Sequence, residues 1–296
     1  MERYWTGHPA QGVEYCQQAI AALEHLGEDE RLGMAYFVLG LNALSLGCFE
    51  QALEAVSRAD AIGEATADRR LLTFAAWTIG WVQATRGDWE AGIASCQRAL
   101  ERSSDPLNTA FAMGWLGYAH LEQGDLARAM PALEQAVQSM RQFGYRRLEG
   151  LYTTLLGELH LQRGDLDTAR TLALQGLSSA SETPYRTGTA WAQRTLGRIA
   201  QTAGALEEAE VHLTEALTTF TAMQAHFEVG RTHLSLAELA QRQGHRDAMM
   251  LHLTEAYALF TAWHAPVYAQ HTAQRAQTLG LTCAAPTALT ASNPAD

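Results

Sequence analysis

The 296-residue chain contains no lysine; all 21 of its basic residues are arginine. That absence excludes a P-loop lysine, a Schiff-base lysine and a kinase-type phosphate lysine. No apolar run approaches the ~20 residues of a bilayer span. The opening Met1-Glu2-Arg3-Tyr4-Trp5-Thr6-Gly7-His8-Pro9 has no apolar core of a secretory signal. Cysteines are few (Cys16, Cys48, Cys96 and Cys283), and none forms a CxxC pair, so a reduced, cytoplasmic setting is expected. Positive charge is scarce: 21 basic against 32 acidic residues leave a net charge of −11. Such a balance disfavours a broad electrostatic grip on nucleic acid or anionic lipid. No GxSxG, nucleophile–base spacing or phosphate-cradling glycine loop occurs, so no catalytic residue is assigned and no enzyme is expected. His245 and His252, like His264 and His271, stand seven apart, but no HxxxH pair or Cys partner completes a site. No metal and no cofactor is therefore expected.

What is present is periodicity. Gly47, Gly87, Gly124, Gly164, Gly204 and Gly244 are spaced 40, 37, 40, 40 and 40 residues apart. A second series runs seven residues ahead, at Gly40, Gly80, Gly117, Gly157, Gly197 and Ala237. A third follows by twelve, at Ala59, Ala99, Ala136, Gly176, Ala216 and Ala256. Each series has a physical job. A mid-helix glycine costs up to ~1 kcal/mol relative to alanine and is tolerated where another helix approaches closely. The next glycine ends that helix in the left-handed region. The third position sits on a second helix, where only a small side chain fits against the first. Asp88, Asp125 and Asp165 follow their glycines and are expected to cap the next helix. Cys16 and Cys96 fall at equivalent apolar positions and are expected in the core.

Each unit therefore reads as helix A, a tight turn, then helix B. In one unit helix A covers Leu151 to Leu161, and helix B covers Leu166 to Leu177 with Leu166, Ala169, Ala173 and Leu177 on one face. No stretch alternates with period two, so no strand is expected. Asp105-Pro106 and Thr183-Pro184 are expected to open helices, and Pro131 to kink one. Gly7 and Ala19 fit the turn and small-residue positions, so residues 1–6 are expected to be the last turns of a truncated first helix A. Tyr4 and Trp5 are then expected on an open edge available for self-association. Pro266 to Leu279 reads as a capping helix without a partner. Residues 282–296 are expected to be a disordered tail.

The set Leu116-Gly117, Gly124-Asp125, Ala129 and Ala136 resembles the tetratricopeptide repeat. It recurs as Leu156-Gly157, Gly164-Asp165, Ala169 and Gly176, and as Leu196-Gly197, Gly204, Ala209 and Ala216. The usual proline at the repeat end is missing, and the 40-residue length resembles arrays in MalT-like bacterial regulators and related signalling ATPases. A similar length occurs in eukaryotic G-protein-signalling modulators; composition and the absence of lysine favour the bacterial relatives. The resemblance implies an all-α, right-handed α-solenoid of about seven units over residues 1–281. Helix A residues would line the concave groove and helix B residues the convex face. It also implies that function is binding, not catalysis.

Carried over unit by unit, the groove positions are Phe37 and Leu41, then Phe74, Trp77 and Trp81, then Phe111 and Tyr118. They continue as Thr154 and Glu158, then Trp191, Arg194 and Arg198, then Arg231 and Glu238. The first half is aromatic and suits apolar peptide side chains or sugar rings. In the second half, Trp191, Arg194, Arg198 and Arg231 would form a basic pocket for a carboxylate or phosphate. The bland alternatives are that the aromatics are core and that the arginines pair internally with Glu158 and Glu238. A carboxylate clamp of the chaperone-tail kind needs Lys and Asn at groove positions, and these positions hold neither. The expected function is a scaffold or sensor module that binds a protein or peptide partner within a larger bacterial signalling or regulatory protein. The alternative is a small-molecule, for example oligosaccharide, sensor of the MalT-like kind.

Overall fold

The computed structural model describes residues 1–280; the expected tail and Cys283 lie outside the described residues. Fifteen helices lie among them: α1 (Glu2–Trp5), α2 (Pro9–Glu24), α3 (Asp29–Leu46), α4 (Phe49–Thr66), α5 (Arg69–Arg86), α6 (Trp89–Arg102), α7 (Pro106–Gln123), α8 (Leu126–Gln142), α9 (Arg146–Gln162), α10 (Leu166–Ser181), α11 (Arg186–Ala203), α12 (Leu206–Ala222), α13 (His226–Gln243), α14 (Arg246–Ala262) and α15 (Pro266–Thr278). They pack as seven consecutive hairpins and a closing helix, each hairpin against the next. The odd-numbered helices also touch one another along the array, and the even-numbered ones make no comparable contact. Odd helices therefore form the inner layer of a curved solenoid. Their burial reflects this. Helix α5 is enclosed on most of its circumference, whereas α6 buries only a stripe that includes Ile93, Cys96 and Ala99.

The three small-residue series do what their spacing implies. A Cβ on Gly80 would stand 2.4 Å from Cys96 Sγ and 2.8 Å from the Gly92 carbonyl oxygen. Helices α5 and α6 thus approach to backbone contact there, and Cys96 is sealed in that crossing. At the turn position, Gly47, Gly87, Gly124, Gly164, Gly204 and Gly244 all have positive φ. In the third series every alanine is completely buried. Of the capping aspartates, Asp125 accepts from the Arg128 amide and Asp165 from the Thr168 amide. Asp88 does not cap; Arg86 draws its carboxylate away, with Nη2 at 2.5 Å. Asp105 caps α7 with Pro106 in its first turn. Pro184, by contrast, lies in the turn before α11, and Tyr185 takes the cap position. Pro131 sits inside α8, which runs on to Gln142.

Curvature brings distant units together. Gly7 lies against Arg186 and Met223, Gly47 against Phe227, and Gly87 against Val267. Each partner is one superhelical turn further along the chain. The array therefore closes on itself, with its first three units seated on its last units and on α15. This closure overturns the expectation of an open N-terminal edge. Tyr4 is buried against Tyr185 at 6.3 Å between ring centroids, and Trp5 meets the same ring edge-on at 5.0 Å. The edge is covered because the curve delivers the start of α11 to it. Among the described residues no helix is long and apolar enough to cross a membrane.

Candidate functional site: an aromatic cavity inside the superhelix

Helices α1, α3, α5 and α7, with the start of α9, line a partly open cavity of about 460 Å³. Its walls are rings held by rings. Phe37 stacks on Phe74 at 4.9 Å and meets Trp77 edge-on. Trp81 stacks on Trp115 at 3.6 Å, and Trp115 in turn meets Tyr152 edge-on. Such contacts add roughly 0.5–1.5 kcal/mol per pair beyond burial, so the lining is stiff. Trp77 and Trp81 are only 6% and 5% exposed. They form the floor of a cavity that opens to solvent beside Arg70, with most of their ring surface packed against neighbouring rings. The Trp77 and Trp115 indole N–H groups are buried and find no acceptor among the described residues. An unmade buried donor costs about 1–3 kcal/mol, a cost the packed ring cluster carries.

The polar residues of the cavity lie toward the beginnings of α5 and α7. Arg70 is exposed and lies over the Phe74 ring at 5.2 Å, and no carboxylate among the described residues pairs with it. Asp105 accepts the Asn108 amide at 2.8 Å with one oxygen and the Asn108 side chain with the other. Trp5 lines the cavity from α1 and carries the Arg147 guanidinium 5.3 Å from its ring centroid.

Of the residues expected in the groove, the structure brings Phe37, Leu41, Phe74, Trp77, Trp81 and Phe111 together in this one cavity. Tyr118 is elsewhere: it is fully buried, 3.3 Å from Thr85 Oγ1, with its ring 5.7 Å from that of Trp191. The basic half of the groove is not open to a ligand carboxylate, because the chain supplies its own. Arg194 is buried and donates to Glu228; Arg198 donates to Glu158; Arg231 donates to Glu122 at 2.8 Å and to the Tyr118 hydroxyl at 3.4 Å. Tyr268 of α15 donates to the second oxygen of Glu122 at 2.9 Å. Burial pushes the Tyr118 and Tyr268 hydroxyls up, so both stay protonated donors. The physical reason is plain: an unpaired guanidinium at this depth would cost several kcal/mol. Glu238, the other expected internal partner, reaches Arg275 at 3.9 Å instead.

Sequence reasoning missed Trp115, Tyr4, Trp5, Arg70 and Asp105 as cavity residues. Trp115 stands off the groove stripe carried over to α7, and the close crossing of α5 and α7 turns it into the cavity. Tyr4 and Trp5 come from α1, the inner-layer neighbour of α3, where the sequence suggested only an exposed edge. For the Arg70 and Asp105 positions at helix starts, no local signal marks the cavity. No group of three or more potential metal ligands occurs among the described residues.

A closed stack of helical hairpins with a single-file inner layer and a lined interior is the architecture of a helical-repeat binding protein. Tetratricopeptide repeat family models match residues 77–146 and 150–222. The chain is a tetratricopeptide repeat array. No curated protein matches it. Solved structures do. A Rap protein complexed with competence and sporulation factor is 14% identical, with a TM-score of 0.67 over 84% of this chain and 71% of that one. The Cut9–Hcn1 hetero-tetramer of the APC/C is 15% identical, with a TM-score of 0.62 over 91% of this chain and 47% of that one. A signal-transduction ATPase with a tetratricopeptide repeat sensor, from Pyrococcus horikoshii, is 17% identical, with a TM-score of 0.52. There the match covers 81% of this chain but only 39% of the ATPase. At these identities the likeness is one of fold.

Proposed function

We propose that this chain is a non-catalytic binding module whose interior cavity seats the anchoring group of a protein or peptide partner. The observation that carries the reading is the 460 Å³ room lined by Phe37, Trp77 and Trp81, in a fold whose architecture serves binding. Tyr118, Glu158, Trp191, Arg194, Arg198 and Arg231 then hold the curve that shapes the room, and do not grip the partner. The neighbouring structures fit this: one is a complex with competence and sporulation factor, and another carries its repeats as the sensor of a larger ATPase. A place in a bacterial signalling or regulatory protein follows from the same reading.

The test uses peptides selected from a display library on the wild-type chain. Met34 lines the cavity and is partly exposed, so Met34→Trp fills it without removing core. Selected peptides should carry aromatic residues and bind Met34→Trp, and a folded Trp77→Ala/Trp81→Ala variant, at least ~10-fold more weakly, as loss of a hot-spot contact requires. Undiminished binding to both variants would refute the cavity as the site.

A second reading, a small-molecule sensor, is favoured by the size of the cavity. Its volume lies within the range of about 300–1,000 Å³ typical of small-ligand sites. A metabolite library that produced no thermal stabilisation at millimolar ligand would count against it, because specific binding to the folded state must raise stability.

A further inference from the structure

We infer that the cavity takes a small amphipathic anion, with a planar apolar body among the rings and a carboxylate-like group at Arg70. The inference rests on the cavity being the binding site. Three observations carry it. The first is shape. Beyond Trp81 the interior of the superhelix is occupied by the chain's own Tyr118, Trp191, Arg231 and Tyr268, so no trough continues through which an extended strand could thread. What remains is a pocket the size of a compact molecule, lined by α1, α3, α5 and α7 and open to solvent at Arg70.

The second is the lining. The parts of Phe37, Trp77 and Trp81 that reach the cavity present flat apolar surface backed by Trp115, which suits a planar apolar body.

The third is charge. Arg194 and Arg231, deeper in the interior, and the partly exposed Arg198 are each paired with a carboxylate of the chain. Arg70, at the cavity, pairs with none among the described residues, and its guanidinium lies over Phe74. Asp105 is the acidic residue lining the cavity, and both its oxygens are engaged by Asn108. Asp105 keeps its charge but its oxygens already have partners, which leaves Arg70 as the charged lining residue whose donors are free. A guanidinium with free donors beside an apolar room is the arrangement that holds a carboxylate by a charge-assisted, two-pronged contact.

The test compares 2-naphthylacetate, its primary amide and 2-(2-naphthyl)ethylamine by calorimetry and tryptophan fluorescence. The proteins are the wild-type chain, Arg70→Gln and Met34→Trp. Arg70 is exposed, so its replacement leaves the core intact. The acid should bind at least ~10-fold more tightly than the amide, as a charge-assisted pair implies. That preference should collapse in Arg70→Gln and weaken with added salt, while Met34→Trp abolishes binding of all three. Tightest binding by the amine would assign the polar end to Asp105 and overturn the proposal. So would an acid preference that survives Arg70→Gln. A short peptide ending in phenylalanine with a free carboxylate, if it bound more tightly than naphthylacetate, would overturn the assignment to a free small molecule. If none of the three probes binds while Met34→Trp still blocks library-selected peptides, this proposal falls and the cavity reading stands. If the peptides are unaffected as well, both fall.

Discussion

Replacement of Gly87 by alanine separates two roles that one repeat position plays. Gly87 and Gly164 hold equivalent places, each at the turn after a helix A, with φ of 101° and 80°. A Cβ in the left-handed region costs about 1–2 kcal/mol in either. The surroundings differ. At Gly164 the added carbon meets nothing within 4 Å; at Gly87 it stands 3.0 Å from Val267 Cβ and Cγ2, on the next superhelical turn. One of the two must yield by a few tenths of an ångström, and forced repacking of this kind costs roughly 1–3 kcal/mol. Gly164→Ala should therefore lower stability by about 1–2 kcal/mol and Gly87→Ala by about 1–2 kcal/mol more. Val267 lies in the first turn of α15, where glycine is tolerated, so a double-mutant cycle with Val267→Gly should return a coupling of at least about 1 kcal/mol. Urea unfolding followed by far-UV circular dichroism at 25 °C gives all four values. Losses for Gly87→Ala and Gly164→Ala that agree within ~0.5 kcal/mol, with no coupling to Val267, would show that the turns of the superhelix are not in contact. The closure of the array on itself would fall with that result.

Three further outcomes follow from the packing. Gly80→Ala improves helix propensity by about 1 kcal/mol, yet its Cβ would collide with Cys96 Sγ and the Gly92 carbonyl, so a net loss of about 2 kcal/mol is expected in urea; a stabilised variant would refute the close crossing. Arg231→Met strands the buried Glu122 carboxylate and should cost about 3–5 kcal/mol, part of it recovered in Arg231→Met/Glu122→Gln; an unchanged unfolding midpoint would show that the clasp between α7, α13 and α15 does not form. The His233 and His252 rings meet at Nδ1 with 3.0 Å between them, and burial, with His252 beside it, brings His233 down to about 4. The unfolded chain then binds more protons than the folded one below the usual histidine pKa of about 6.5, so stability should fall as pH drops from there toward 4. His233→Gln reproduces the pair that Gln193 makes with His212 in the preceding unit, and should flatten that slope between pH 7 and 5; an equal slope in both proteins would contradict the pairing.

Much of the fold was legible because helix pairing is local. A glycine at each A–B crossing and another at each turn are demands that one hairpin makes on its own residues, and Gly80, Gly157 and Gly164 meet them without reference to anything distant. Capping was less legible. Asp125, Asp165 and Asp88 look alike in sequence, but Arg86 captures the last of them. The proline before α11 also misled: the helix starts two residues later, with Tyr185 at the cap position and its ring against Tyr4 and Trp5. In the cavity, Phe37, Trp77 and Trp81 were legible as an inward stripe on successive helices. Whether that stripe would face solvent, core or a partly open cavity was not.

The sequence by itself determined the helical hairpins, their phase and the layer each residue occupies, because those depend on contacts between neighbours along the chain. Only the tertiary structure decided that the curve tightens until its first units rest on its last. That step depends on small rotations accumulated over every hairpin, which no single repeat encodes. It buries Tyr4, gives Arg231 its carboxylate from Glu122, and leaves an aromatic cavity among the first inner helices.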